Sequence, residues 1–337
     1  FMVNVGLFMV NIGLFMVIIS LFMAKCWSVH GKSHFYSPLN YRMQGMRKDS
    51  EIMTINDALV FNVDTEGKSY PLTPTANRTV QPIALMRLGV FVPAARNKPV
   101  RGGSVIDASD DLRELEIAKS EGYTSIMIRG NRLDMSTDFK TWIGTIRAFS
   151  KYGVNSNKIE LPFTEFAKLS GIAVDDINKR SRDRFFNSLN RLASVVISFK
   201  NKNGTKAFIT HLLNNALYDI EKDTIVLEGD ARLWELYAFD HKVLLQLKAI
   251  QALPRKESAQ ALYVYIESMP SGFIKVSLER LRDRLNLTSS IGTQNLAVRN
   301  AMKELEKIGY LTYSEVKKEG AVYFLIHSRR PELLPGE

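Results

Sequence analysis

The clearest alternation of apolar and polar positions lies in residues 278–309, LERLRDRLNLTSSIGTQNLAVRNAMKELEKIG. The pattern predicts a short amphipathic helix that ends near Leu287, a turn rich in Ser, Thr and Gly, and a longer helix that begins near Thr293. Two strand-like runs follow, YLTYSEV (310–316) and AVYFLIH (321–327), with a polar turn between them. A helix-turn-helix followed by a β-hairpin is typical of a winged helix.

The longer helix separates its side chains into two faces at about 100° per residue. Its apolar stripe consists of Ala297, Val298, Ala301, Leu305 and Ile308. The other side carries amide and basic groups, which we expect to enter the major groove of DNA, because Arg and Asn form bidentate contacts with guanine and adenine. The candidate DNA-binding residues here, with the wing tip, are Gln294, Asn295, Arg299, Asn300, Lys303, Lys317 and Lys318. A solvated helix face is the alternative interpretation.

A similar order of elements occurs earlier in the chain. The predicted elements are a helix at 139–153, a strand at 159–163, a helix at 163–172, a longer helix at 175–193, and a hairpin with strands at 195–200 and 206–213. The C-terminal copy begins in the same way, with a helix at 257–269 and a strand at 273–277. The repeated order indicates an ancient duplication of one winged-helix unit.

The longer helix of the first copy is strongly basic on one side. It buries Phe185, Leu189 and Leu192 by the same periodicity. The candidate DNA-binding residues on its far face are Lys179, Arg180, Arg184, Asn187 and Arg191. These side chains suit phosphate contact as well as base recognition. The alternative is that they form salt bridges with Asp175, Asp176 and Asp183.

The sequence therefore predicts an α+β fold with two tandem winged-helix domains related by internal duplication, preceded by a poorly ordered leader. The predicted segments are a leader at 1–53, a mobile arm with one strand at 54–107, a first domain for DNA binding and dimerisation at 108–235, and a second DNA-binding domain at 236–330. The 337 residues are sufficient for two ordinary domains. An apolar run at 231–253 with helical spacing has three interpretations: core packing, which we favour, a connection between the modules, or a self-association surface.

Residues 1–28 contain a seven-residue repeat, FMVNVGL, FMVNIGL and FMVIISL, followed by the divergent FMAKCWS. No charge occurs before Lys25, so one interpretation is a transmembrane helix. A signal peptide fits less well, because no basic segment precedes the apolar run. We favour a third interpretation, translated binding-site DNA, because seven codons span about two turns of B-DNA. It predicts translation from Met43, Met46 or Met53.

Composition narrows the class of protein. The formal net charge of +10 suggests a polyanionic partner, most often nucleic acid. The single Cys26 gives neither an intramolecular disulfide nor a metal cluster, which favours an intracellular setting. The GKS sequences at 31–33 and 67–69 lack the preceding glycine of a P-loop, and the five histidines form no catalytic pattern. We therefore expect no enzyme, no cofactor and no metal.

Long colinear blocks carry a family resemblance. They are LTPTANRTVQPIALMRLGVFVP (72–93), RLDMSTDFKTWIGTI (132–146), ELPFTEFAKLSGI (160–172), VISFK (196–200), FDHKVLLQLKAIQALPRKESAQALYVYIES (239–268) and RLRDRLNL (280–287). Through them, residues 70 to 330 resemble the RepFIB-type RepA replication initiators of enterobacterial plasmids, which are iteron-binding Rep proteins. The resemblance implies two winged-helix domains with recognition helices at Lys179–Arg191 and Gln294–Lys307. Residues 1 to about 45 have no counterpart in the family.

The resemblance also implies how such a protein works. A monomer binds directly repeated origin sites, the iterons, and starts replication, while a dimer joined through the first domain binds an inverted repeat and represses its own gene. We expect a cytoplasmic plasmid replication initiator whose partners are duplex DNA, the host replicative helicase, host initiator proteins and a second copy of itself. The alternatives are a winged-helix transcriptional repressor and, if residues 1–23 belong to the mature chain, a membrane-anchored DNA-binding protein.

Overall fold

The structure is a computed structural model. It describes residues 62–63, 69–70, 74–75, 77–94, 104–107, 123–152, 157–201, 203–205, 207–231, 233–234, 242–270 and 272–330. The leader predicted at 1–53, with its repeat, lies outside the described residues. A small hairpin of β1 (Asn62–Val63) and β2 (Ser69–Tyr70) is the first described feature.

The first winged-helix module is built around a helix that is buried along most of its length. This helix, α2, has Trp142, Ile146 and Phe149 fully or almost fully buried. The module consists of α2 (Asp138–Tyr152), β8 (Lys158–Pro162), α3 (Phe163–Leu169), α4 (Lys179–Ala193), β11 (Asn215–Asp219) and β12 (Thr224–Glu228). β12 pairs antiparallel with both β8 and β11, so the hairpin β11–β12 is the wing.

The second module repeats this order with a simpler sheet. It consists of α6 (Glu257–Glu267), β14 (Ile274–Ser277), α7 (Leu278–Leu285), α8 (Ile291–Lys307), β15 (Leu311–Lys318) and β16 (Ala321–Arg329). β16 lies between β14 and β15 in an antiparallel sheet. The Ser277 side chain caps the start of α7, and the left-handed Asn286 ends it. The predicted helix-turn-helix and hairpin are present as expected.

The wing of the first module differs from the prediction. The strands expected at 195–200 and 206–213 form β9 (Val196–Asn201) and β10 (Ala207–His211), but neither pairs with β8. They join a separate antiparallel sheet in the order β10-β9-β6-β5, in which β5 is Ser104–Asp107 and β6 is Tyr123–Gly130. Two successive hairpins follow α4, and their alternation is equally regular, so the pattern alone could not identify the strand that pairs with β8.

Residues 77–94 form a buried strap, which corrects the prediction of a mobile arm for this part of 54–107. The strap contains β3 (Arg78–Pro82), α1 (Ile83–Arg87) and β4 (Phe91–Val92). β4 pairs in parallel with β7 (Leu133–Asp134). Its buried apolar residues are Val80, Leu85, Met86, Leu88, Val90, Phe91 and Val92. The prediction failed because proline and glycine are more common in exposed loops, whereas here they lie in a packed segment.

The predicted helix at 231–253 is also corrected. Lys242–Gln246 form a strand, β13, which pairs antiparallel with β3, and only Leu247–Gln251 continue as a short helix, α5. Short apolar runs suit a strand as well as a helix, and the backbone of β3 provides the hydrogen-bond partners that select the strand.

Three arginines fasten the strap to the second module and the first. The Arg87 Nε and Nη2 atoms donate to the Ser268 carbonyl oxygen at 3.1 and 2.9 Å. The Arg284 Nη2 atom donates to the Met86 carbonyl oxygen at 2.7 Å. From the first module, Arg132 Nη2 donates to the Pro93 carbonyl oxygen at 2.8 Å, and Nη1 donates to the Asn286 carbonyl oxygen at the end of α7. These charge-assisted bonds connect both modules through one segment.

Replacing Arg87 with Ala should lower the free energy of unfolding by about 2 kcal/mol, because the buried Ser268 carbonyl group loses two charge-assisted hydrogen bonds. Urea denaturation followed by tryptophan fluorescence measures this change. Lys140→Ala, at an exposed position of α2, is the control and should change stability by less than about 0.5 kcal/mol. Equal stabilities of the two variants would contradict the role of Arg87.

Candidate nucleic-acid interface

Helix α4 is positioned by its cap and by an aromatic cluster. The Asn178 side chain accepts from the Ser181 backbone N–H at 3.0 Å, and the Ser181 hydroxyl accepts from the Asn178 backbone N–H at 2.8 Å, which forms a capping box. Phe185 packs edge-on against Phe163 of α3, with ring centroids 5.5 Å apart. The opposite side of the helix is consequently turned to solvent. Of the predicted residues, Lys179, Arg180, Arg184 and Asn187 are exposed there.

Arg191 lies two turns from Arg184 on the same side of α4, but its guanidinium group is paired within the first module and is only 31% exposed, so its contact with DNA stays a prediction. Its Nη2 atom donates to Oδ1 of Asp138 at 2.6 Å, and its Nε atom donates to Oδ2 at 3.0 Å. The Asp138 carboxylate is fully buried and also accepts from the Ser188 hydroxyl at 2.7 Å. Burial raises the pKa of Asp138, and the hydrogen bond from Arg191 opposes this shift. Arg191 therefore connects α4 to α2.

A second arginine of α4 is also committed to the fold. Arg182 Nη1 donates to the Tyr218 hydroxyl at 2.6 Å and to Oδ1 of Asp223 at 2.7 Å. Its guanidinium group lies over the ring of Phe163, 4.6 Å from the centroid. The alternative partners proposed from the sequence were Asp175, Asp176 and Asp183, whereas Arg182 pairs with Asp223 instead. This contact holds the wing of the first module against α4.

Helix α8 in the second module has a sharply defined buried side. The buried residues are Val298, Ala301, Met302 and Leu305. At about 100° per residue, the opposite side carries four exposed residues, Leu296, Asn300, Lys303 and Lys307. Asn300 and Lys303 were predicted from the sequence. Leu296 was not predicted, because only polar side chains were considered as base contacts. The same helical periodicity nevertheless places it on this side.

Gln294 and Asn295 have positions that differ from the prediction. The Gln294 Nε2 atom donates to the carbonyl oxygens of Leu287 at 3.0 Å and Ser289 at 2.5 Å. Gln294 therefore closes the turn between α7 and α8 and does not project outward. Asn295 is half-buried on the flank of α8, and its Oδ1 atom is buried. The outward face is consequently rotated away from these two residues toward Leu296 and Asn300.

Arg299 lies at the edge of this face, where the wing strand β15 holds it. Its Nε atom donates to Oε1 and Oε2 of Glu315 at 2.9 and 3.1 Å, and its Nη2 atom donates to Oε1 at 2.8 Å. These hydrogen bonds raise the pKa of Arg299. The Nη1 atom takes no part in the pair, so the bidentate contact fixes the plane of the guanidinium group and leaves one edge for another acceptor.

The wing tip of the second module carries both predicted lysines. Lys317 and Lys318 are exposed at the end of β15. Glu319 and Gly320 form the turn, with φ angles of 54° and 81°. The equivalent tip in the first module, which the sequence reasoning assigned to the wrong hairpin, lies between Asp219 and Thr224 and exposes Lys222. Each module thus has a long helix and a wing tip with exposed cations.

Two negative findings apply to the described ranges alone. No group of three or more His, Cys, Asp or Glu side chains in them is arranged to hold a metal ion. None of their helices has both the length and the apolar character that a bilayer crossing requires. The transmembrane interpretation of residues 1–28 lies outside the described residues.

Comparisons with known proteins agree on one class. A family model described as "Initiator Replication protein, WH1" matches residues 143–267. Replication protein RepA of Salmonella typhi is 51% identical over 272 residues, which cover 80% of this chain and 78% of the relative. RepFIB replication protein A of Escherichia coli is 50% identical over 274 residues, which cover 80% of this chain and 84% of the relative.

Two solved structures are similar at lower identity. Domains 2 and 3 of RctB give a TM-score of 0.46 at 14% identity and cover 74% of this chain and 99% of that chain. The Pi initiator protein in complex with iteron DNA gives 0.43 at 12% identity and covers 57% of this chain and 90% of that chain. Both TM-scores are low, so the family assignment rests on the sequence relatives.

Arg191→Ala should lower the free energy of unfolding by about 2–3 kcal/mol, because it leaves the buried Asp138 carboxylate without its cation. Arg184→Ala, two turns earlier on the same side of α4 and exposed, should leave stability unchanged. Thermal and urea denaturation of both variants test this difference. Unchanged stability of Arg191→Ala would contradict the stabilising role of its ion pair with Asp138.

Proposed function

This chain belongs to the RepFIB-type RepA family of replication initiators, and we propose that it starts plasmid replication by binding repeated DNA sites at the origin. The observation that carries the proposal is the 50% identity to RepFIB replication protein A across 80% of this chain. Identity at this level over both modules supports a shared activity, because it extends well beyond the residues that the fold alone requires.

Duplex DNA is the partner that the geometry supports best. Each module has a long helix with an exposed polar or cationic side and a wing next to it. A helix of this width fits the major groove, and adjacent cations neutralise phosphates. The net charge of +10 favours a polyanion such as duplex DNA over a basic or neutral partner.

Base recognition in the second module is assigned to α8. Glu315 holds Arg299 in one orientation, so the remaining guanidinium edge is pre-organised for a guanine. Asn300 is exposed on the outward face, where its amide suits an adenine. Lys303, one turn farther along α8, is the third polar side chain assigned to base contact.

Phosphate contact is assigned to α4 and to the wing tips. Lys179, Arg180, Arg184 and Asn187 are exposed in the first two turns and the middle of α4. Lys317 and Lys318 extend from the wing of the second module. Contacts of this kind set the register of the protein on the duplex, and they add affinity that does not depend on sequence.

Origin opening follows from binding by both modules at once. The strap holds the modules together through Arg87, Arg132 and Arg284, so the two helices engage successive grooves on one DNA face without a flexible linker. Binding that bends the DNA favours melting of a neighbouring A·T-rich segment. The initiator then recruits the host helicase and initiator proteins, and its dimer represses its own gene at an inverted repeat.

A winged-helix repressor without a role in initiation is the second candidate, because the same fold and surfaces would serve it. Dependence of plasmid maintenance on the protein separates the two functions. A plasmid that is lost when the gene carries a stop codon, and is restored by the protein supplied in trans, supports the initiator.

Footprinting of the full chain on DNA that includes the nucleotides encoding residues 1–28 should give protection that repeats every two helical turns, or about 21 base pairs. Such protection would identify the repeat FMVNVGL as translated binding-site DNA. Protection at another sequence would leave the leader to the membrane interpretation. Sequence-independent binding everywhere would contradict the proposed function.

Arg299→Ala should weaken binding to the specific site by about 1–3 kcal/mol and relax specificity at one base pair. Lys318→Ala should instead weaken binding to all sequences equally and lower the slope of log K against log salt by about one unit. Titrations with specific and random duplexes at several salt concentrations measure both effects. Equal losses on both duplexes for Arg299→Ala would contradict its role in base recognition.

A further inference from the structure

Leu296 is an apolar side chain at the centre of the outward face of α8. It is 57% exposed, whereas Val298 and Leu305 on the opposite side are fully buried. Isolated exposed leucines are common and need no explanation by themselves. The position of Leu296 distinguishes it, because it lies on the face that the proposed function places in the major groove.

The surroundings of Leu296 suit DNA better than a protein partner. Asn300 and Lys303 are exposed on the same face, one and two turns toward the C-terminus of α8, and Lys307 extends it. On the N-terminal side, Gly292 lies in open space, where an added Cβ would meet no atom within 4 Å. Leu296 is an apolar side chain bordered by an amide and by lysines. Such a surface complements a polyanion, such as duplex DNA, that presents one apolar group among polar ones.

The major groove offers such a feature. Thymine alone among the bases presents a methyl group there, at C5, and apolar side chains contact it. Cytosine carries only a hydrogen at C5 next to its amino donor, and adenine and guanine present hydrogen-bonding groups. A leucine placed against cytosine would cover its N4 amino group without giving it an acceptor.

We propose that Leu296 is a specificity-determining residue that reads the C5 methyl group of a thymine. The proposal rests on the proposed function and deepens it, because it names the base contacted at the centre of α8. Asn300 lies next to Leu296 on the same face, so its amide reaches a neighbouring base pair, where it suits an adenine. The site read by α8 therefore contains a thymine whose methyl group, in addition to its pairing, contributes to affinity.

The experiment compares thymine with uracil, which differs only by this methyl group. The full-length chain first selects duplexes from a random-sequence pool, and the selected duplex is then made with uracil in place of thymine on each strand in turn. For each chain, the affinity for the thymine duplex is divided by the affinity for the uracil duplex. This ratio should be about fourfold larger for the wild-type chain than for Leu296→Ala, which corresponds to burial of one methyl group. Leu296→Met, which keeps an apolar side chain, should retain the discrimination.

Ile209→Ala is the matched control, because Ile209 is 59% exposed on β10, outside both recognition helices. It should discriminate between thymine and uracil as the wild-type chain does. Equal thymine-to-uracil ratios for the wild-type chain and Leu296→Ala would overturn the role of Leu296 while leaving sequence-specific binding intact. Failure of the wild-type chain to select any sequence would overturn the proposed function together with this inference.

Discussion

The rest of the structure depends on one buried segment, the strap of residues 77–94, because both modules pack against it. Backbone pairing of β3 with β13 and of β4 with β7 gives the strap two fixed ends. The guanidinium groups of Arg87, Arg132 and Arg284 also donate hydrogen bonds to backbone carbonyl oxygens and so connect the strap to both modules. A rigid connection of this kind makes binding of the second module nearly intramolecular once the first is bound. The distance between the recognition helices is therefore a property of the core.

The arginines of α4 and α8 differ in how far the fold itself uses their charges. Buried carboxylates require a partner, since an unpaired charge in a core is costly. The fully buried Asp138 takes Arg191 for this purpose. Arg182 and Arg299 instead pair with the partly exposed carboxylates of Asp223 and Glu315, and the second pair leaves one guanidinium edge of Arg299 outside it. Arg184, by contrast, is exposed.

The two modules differ by two extra strands between the long helix and the wing of the first module. In the second module α8 leads directly into the wing strands β15 and β16. In the first module β9 and β10 come between α4 and the wing, and they extend a sheet that also contains β5 and β6. The order of the common elements is unchanged, and β8 and β14 have equivalent pairings with the last wing strand. The first module thus has a surface with no equivalent in the second.

The sequence by itself determined the helices of both modules, the wing of the second module and the outward position of Arg180, Arg184, Asn300 and Lys303, because these features follow from local periodicity and capping. Tertiary structure decided which hairpin pairs with β8, the strand at Lys242–Gln246 and the burial of the strap, since each depends on a partner far away in the chain. It also decided the roles of Arg191 and Gln294. Their partners are Asp138 on another helix and the carbonyl groups of a turn, and neither a helical wheel nor a charge pattern records such contacts.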